Sequence, residues 1–172
     1  LIRIDIDDDA VTAALANMST GVTDMTPVMN RIGAALVAST KARIAAGVTP
    51  EGTAFAPRSQ VTLDRYARTG QKHGPHPLTM DGYMAAGIAH QYGPDYAEVG
   101  SNAIQAAVMQ MGAAQGQFGA HIGKDKLGRD HFHSIPWGDI PARPFLGLSE
   151  DDRNDVLDII GEWLEAALNG GS

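Results

Sequence analysis

Cysteine is absent from this 172-residue chain. That excludes disulfides, thiolate metal sites, a cysteine nucleophile and anchoring through a lipidated cysteine, and it suits synthesis in a reducing compartment. Aromatic residues are scarce at 6%, which leaves little on which to stack bases or sugars. No apolar run approaches the roughly 20 residues that span a bilayer. The opening Leu1-Ile-Arg-Ile-Asp-Ile-Asp-Asp-Asp9 lacks the pattern of a secretory leader. Basic charge is also in deficit. Thirteen Lys and Arg against 20 Asp and Glu leave a net charge of −7 with histidine neutral. Such a chain is poorly suited to gripping nucleic acid with its whole surface.

Glycine, at 20 residues, is abundant, and alanine with it. This composition suits small-residue helices that pack closely. A chain of this length can bury roughly 70% of its unfolded surface, so one domain over residues 1–172 is expected. The charge is uneven along the chain. Arg31, Lys41, Arg43, Arg58, Arg65, Arg68 and Lys72 dominate the middle, whereas Glu150, Asp151, Asp152, Asp155, Asp158, Glu162 and Glu165 dominate the end. Two solvated faces explain this, and so does self-association in which the basic middle of one copy meets the acidic end of another.

Period-two alternation of Ile2, Ile4 and Ile6 predicts a strand over residues 1–7, and Asp8 or Asp9 can cap a short helix to Met18. Residues 24–46 carry a helical apolar period through Met25, Val28, Met29, Ile32, Leu36 and Ile44, with Pro27 in the first turn and Gly47 at the stop. Pro50, Gly52 and Pro57 make residues 48–59 a loop. Short helices are expected over residues 62–69, 78–86 and 103–111. A β-hairpin is expected over 87–92 and 96–100, turning at Gly93-Pro-Asp95. Residues 113–134 are glycine-rich and read as a long loop or arm. Ser149 caps a final helix in which Asp152 completes a capping box, and Val156, Ile159, Ile160, Trp163, Ala167 and Leu168 form the apolar stripe. The fold class is therefore α+β. A small antiparallel or mixed sheet would carry a long N-terminal helix, a short central helix and a C-terminal helix, with an extended arm beside it.

Histidine offers the one enzymatic lead. His73 and His76 share a loop, and His131 and His133 share another stretch, so the four could ligate zinc in a hydrolase. No His-Glu-x-x-His helix accompanies them, and Gly/Pro loops carry polar residues in any case. His90 reads as an ordinary strand side chain. Asp5, Asp7, Asp8 and Asp9 lack the glycine and the distant glutamate of a calcium loop. No phosphate loop, nucleophile elbow or dinucleotide fingerprint occurs. The expectation is a protein that is not an enzyme and carries no metal or cofactor. The methionines read as core or interface filling.

Four blocks, in order, carry a resemblance. Thr49-Pro-Glu-Gly-Thr-Ala-Phe-Ala-Pro57 looks like a turn after a long helix. Leu78-Thr-Met-Asp-Gly-Tyr-Met84 stands where a Leu-x-x-Thr-Gly-x-Leu pattern is usual, with Asp81 and Met84 departing from it. Ala97-Glu-Val-Gly-Ser-Asn102 looks like a hairpin exit, and the helix after it ends in Met109-Gln-Met-Gly112 where His-Gln-Phe-Gly is usual. Ile140-Pro-Ala-Arg-Pro-Phe-Leu-Gly-Leu-Ser149 is the most distinctive block. In these the chain resembles the phage virion morphogenesis proteins, a family that includes phage Mu G-like and tail completion proteins.

The resemblance implies a non-enzymatic subunit of a tailed-phage virion, assembled in the host cytoplasm. It implies a homo-oligomeric ring, a hexamer, at the head–tail junction. Connector or stopper and tail terminator or tube would be its neighbours, with DNA passing through the lumen in non-specific contact and no membrane involved. The alternative is a transient capsid or tail assembly factor. Interface candidates are Arg143, Pro144, Phe145, Leu146, Trp137, Arg65 and Arg68. Pro141 and Pro144 bias their neighbours to extended geometry. Arg143 is thereby placed to pair with a carboxylate within the subunit or across a ring interface.

Overall fold

The computed structural model describes residues 24–117, 120–124, 127–134 and 138–168. The strand expected over 1–7, the helix after it and Trp137 lie outside these residues. The order of elements is α1 (Thr26–Ala46), α2 (Gln60–Thr69), α3 (Tyr83–Ala86), β1 (Ile88–Tyr92), β2 (Ala97–Ser101), α4 (Ala106–Met111), β3 (Ala120–Lys124), β4 (Asp130–Ser134) and α5 (Glu150–Leu168). The fold is α+β. Among the described residues the strands form two separate two-stranded sheets, β1–β2 and β3–β4. Each is a local hairpin whose connection is too short for a parallel crossover.

The described residues fall into two compact units. One draws on residues 24–39, Ile88–Gly100 and residues 148–168, the other on Thr40–Gly87 and Ser101–Gly147. In the first, α1 begins where Asp24 Oδ1 accepts from Thr26 N–H at 3.0 Å. Val28 and Ile32, four residues apart on one face, are buried. A Cβ on Gly33 would come within 2.3 Å of the His90 ring on β1. A mid-helix glycine costs roughly 1 kcal/mol relative to alanine, and here it leaves room for the His90 side chain. Asn30 Oδ1 meets His90 Nε2 at 2.9 Å beside it. Helix α5 opens with a reciprocal cap. Ser149 N–H donates to Asp152 Oδ2 at 2.8 Å and Asp152 N–H donates to Ser149 Oγ at 3.1 Å. Arg31 on α1 and Glu162 on α5 form an exposed ion pair at 2.7 Å.

In the second unit, α1 ends with Arg43 and Ile44 buried, and the chain turns back so that Phe55 N–H donates to Gly47 O at 2.8 Å. Ser59 caps α2 and Gly70 ends it in the left-handed region.

Two expected helices are shorter than their patterns suggested. Leu78 has φ 70°, which no helix accommodates, and Asp81 Oδ1 takes Tyr83 N–H, so α3 starts only at Tyr83. Ser101 Oγ takes Ala103 N–H, and residues 103–105 form a turn ahead of α4. The larger correction concerns residues 113–134. This stretch is not a structureless arm, because β3 and β4 pair antiparallel from Ala120↔Ser134 to Lys124↔Asp130. Ala113 and Ile140 pair at its base through reciprocal bonds of 2.9 and 2.8 Å.

Candidate functional site

The tract from Ile140 to Leu146 has no ladder to satisfy its backbone, and two prolines remove donors from it. Its neighbours supply partners. Arg143 N–H donates to Met109 O at 2.7 Å. From the end of α4, Gln110 Oε1 accepts from Phe145 N–H and Leu146 N–H, both at 3.0 Å, and its Nε2 donates to Leu146 O at 2.9 Å. One side-chain amide thus does for two residues what a neighbouring strand would do. Gly112, with φ 75°, lets the tract pass, because a Cβ there would stand 2.8 Å from Ala142 N and from Ile140 O.

Arg143 ties this tract to the loop after α1. Its Nε donates to Ala56 O at 2.7 Å, one terminal nitrogen to Pro57 O at 2.7 Å and the other to Pro141 O at 3.3 Å. The side chain is 7% exposed. Burial pushes its guanidinium below the ordinary range, and the nearby Arg58 charge adds a smaller push. An arginine remains protonated at neutral pH under such shifts. The sequence reading expected a carboxylate partner, but the guanidinium donates to backbone carbonyls instead. The physical reason is local. Ala56 precedes a proline and Pro57 lies in a loop, so neither carbonyl has a ladder donor.

A second arginine repeats the device. Arg43 donates from one terminal nitrogen to Thr40 Oγ1 at 3.1 Å and to Gly147 O at 2.9 Å. Arg58 donates to Pro75 O at 3.4 Å and to His76 O. Phe145 is fully buried between these fixed points in the chain. Three of the four resemblance blocks therefore meet at one clamp built from Gln110, Arg143 and Phe145.

The remaining interface candidates sit differently. Pro144 and Leu146 are half-buried within the clamp, while Arg65 and Arg68 are exposed on α2. Arg65 lies 5.5 Å from the Tyr66 ring. Gln110 and Arg43 were missed by sequence reasoning. A glutamine near the end of an alanine-rich helix gives no signal of burial, and Arg43 reads as one more charge on a basic helix.

The histidines divide. His73 Nδ1 meets Gly74 O at 2.9 Å and its ring lies 5.1 Å from that of Tyr66. His76 packs its ring close against Gly47, and its carbonyl takes Thr79 Oγ1–H. Among the described residues outside β3 and β4, no three His, Cys, Asp or Glu side chains stand together as a metal site would require. No described helix is long and apolar enough to cross a membrane. The clamp holds no nucleophile and no general base. What it can do is fix a shape.

A surface feature accompanies it in the first unit. Leu148, Val156 and Leu157 line a shallow depression at the start of α5 with Glu150, Arg153 and Asn154. Leu157 is 65% exposed, and Val156, Ile159, Ile160 and Trp163 are only half-buried.

Residues 6–165 match the model of the phage virion morphogenesis family. A curated protein, "Putative capsid assembly protein G" of Escherichia phage Mu, is 29% identical over 171 residues, which cover 97% of this chain and 96% of that protein. No solved structure matches the chain.

Proposed function

We propose, from the premise that this chain belongs to the phage virion morphogenesis family, that it is a non-enzymatic subunit of the virion neck. Copies form a ring, a hexamer, at the head–tail junction. The ring completes the tail or joins it to the head, and DNA passes through the lumen. The family match over residues 6–165 carries this reading.

Three physical features support it. The apolar stripe of α5 is incompletely covered: Leu168 is exposed, and so are Leu157 on the same helix and Leu148 just before it. Solvent-facing apolar area of this kind suits protein contact. The exposed basic residues of α2 in the second unit, Arg65 and Arg68, are opposite in sign to the exposed Asp151, Asp155 and Asp158 of α5 in the first, which suits contact between one copy's α2 and another's α5. The net charge of −7 suits a conduit that must not hold DNA tightly. Pro144 and Leu146 on the clamped tract, and Trp137 ahead of it, are the further interface candidates. Arg143 and Phe145 serve the interface by fixing that tract.

Native mass spectrometry at high concentration, and binding to connector, stopper, tail terminator or tube proteins, tests this reading. A ring, or capture by a neck protein, is expected. Persistent monomer with no such capture would sink it. The name of the Mu relative, a capsid assembly protein, favours a second reading, a factor that acts in assembly and then leaves. Mass spectrometry of purified virions separates the two, since a neck component remains and a transient factor does not.

A further inference from the structure

Helix α5 holds a glycine that its own subunit does not explain. Gly161 stands in the interior of the helix, where glycine weakens a helix relative to alanine. Gly33 in α1 makes room for the His90 ring. A Cβ on Gly161 would meet nothing within 4 Å. The space over this position is open, and no described neighbour needs the side chain to be missing.

The residues around Gly161 give the opening a character. At about 3.6 residues per turn, Leu157, Leu164 and Leu168 share its face. Leu157 and Leu168 are exposed and Leu164 is half-buried. The buried Asp152 and the half-buried Val156, Ile159 and Trp163 fall on the other side of the helix. Asp151 and Asp158, seven residues apart and exposed, run along one border of the leucine row. Arg153, the one cation of α5, lies on the opposite border. The face is thus an apolar row with a notch at Gly161 and an acidic edge.

Helix α2 presents a face that fits it. Val61, Arg65 and Arg68 are four and three residues apart, so they share one side of the helix. All three are exposed, Val61 by 79%, while Tyr66 is buried on the other side. Asp64, the one acid of α2, accepts from Gln60 Nε2 at 2.8 Å. An apolar knob beside two guanidiniums complements a notch beside two carboxylates. A second α5 would not, because it sets one acidic edge against another.

We infer that α2 of one copy crosses α5 of the next at Gly161, with Val61 seated on the notch and Arg65 and Arg68 facing the Asp151 and Asp158 edge. Helix axes pack about 8–10 Å apart according to the side chains at the crossing, and glycine admits the closer approach. The contact joins two different surfaces, so it repeats around a closed ring. It rests on the reading of the chain as a ring-forming subunit and specifies which surfaces meet.

Gly161→Ala separates assembly from folding. The added methyl meets nothing in the subunit, so at concentrations where the chain is monomeric the thermal midpoint should hold or rise. Assembly, followed by native mass spectrometry over a dilution series, should weaken tenfold or more. Asp158→Arg should also weaken it tenfold or more at low salt. A chain carrying both Arg65→Glu and Asp158→Arg should recover most of that loss, because every copy then carries the exchanged pair. Unchanged assembly of Gly161→Ala, or a double variant no better than Asp158→Arg alone, overturns the inference and leaves the ring reading in place. Persistent monomer of the unsubstituted chain is a different result, and it overturns both.

Discussion

Arg143 satisfies carbonyls of a loop more than eighty residues away in the chain. A guanidinium presents donors in a fixed fork, and that fork spans Ala56 O and Pro57 O at 2.7 Å each. Replacement by Met keeps much of the stem but takes the donors from a half-buried carbonyl, Ala56 O, and from that of the more exposed Pro57. Roughly 1–2 kcal/mol of stability should be lost, since hydrogen bonds from a charged donor are forfeited and only the Ala56 carbonyl is shielded from water. Replacement by Lys keeps the charge but offers a single point of donation, so it should recover only part of the loss. Urea unfolding of the two variants checks both statements, and equal stability of Arg143→Met and the unsubstituted chain would remove the clamp from the account. Proline spacing showed that Arg143 sits between fixed points. It did not show which groups it meets, because those lie more than eighty residues earlier in the chain and sequence spacing carries no information at that range.

Elements with chemical punctuation at their ends could be read from the sequence. Helices α1 and α5 are bounded by Asp24, Gly47 and Ser149, and the turn at Gly93-Pro-Asp95 announced the β1–β2 hairpin, whereas the Ser59 cap of α2 went unread and its start was placed two residues late. The β3–β4 hairpin could not be read this way. Glycines and histidines dilute its alternation, and Ile122 and Phe132 are the only large apolar residues of its two strands. Capping is therefore the element-scale property most open to test. Ser149→Ala and Asp152→Ala should each cost about 1 kcal/mol. Their double mutant should cost less than the sum, because each single change already breaks the reciprocal pair. Thermal unfolding of the four-member cycle measures that coupling. The start of α1 should respond to acid. Asp24's carboxyl is held below its ordinary range by Thr26, through the hydroxyl first and the backbone N–H second. A lowered pKa means that folding favours the ionised form. Its contribution is present above the ordinary carboxylate pKa and is lost as pH falls through the lowered value. Far-UV circular dichroism followed downward from the ordinary carboxylate pKa of about 4 should show a loss of helicity that is smaller in Asp24→Asn, which has already lost the ionised cap at neutral pH.

At the scale of the whole molecule the question is what remains uncovered. The period of α5 marked Val156, Ile159, Ile160 and Trp163 as a stripe, yet a period cannot say whether the chain itself or another chain covers it. The structure leaves these residues half-buried and Leu157 65% exposed beside Leu148. If that surface is an assembly contact, Leu157→Asp should act on association and not on folding. The side chain contributes little to the subunit's own core, so the unfolding midpoint should shift by less than about 0.5 kcal/mol. In a ring every copy uses the same contact, so one introduced charge recurs at each interface and desolvating it opposes closure every time. Native mass spectrometry should then show the monomer replacing the oligomer at concentrations where the unsubstituted chain assembles. Arg65→Glu provides the complementary case. If α2 meets the acidic face of α5 in the next copy, it should weaken assembly chiefly at low salt, because exposed charge pairs are screened as ionic strength rises. An oligomer that survives Leu157→Asp unchanged would move the contact away from α5. An effect of Arg65→Glu that does not vary with salt would leave the α5 contact standing on its apolar residues alone.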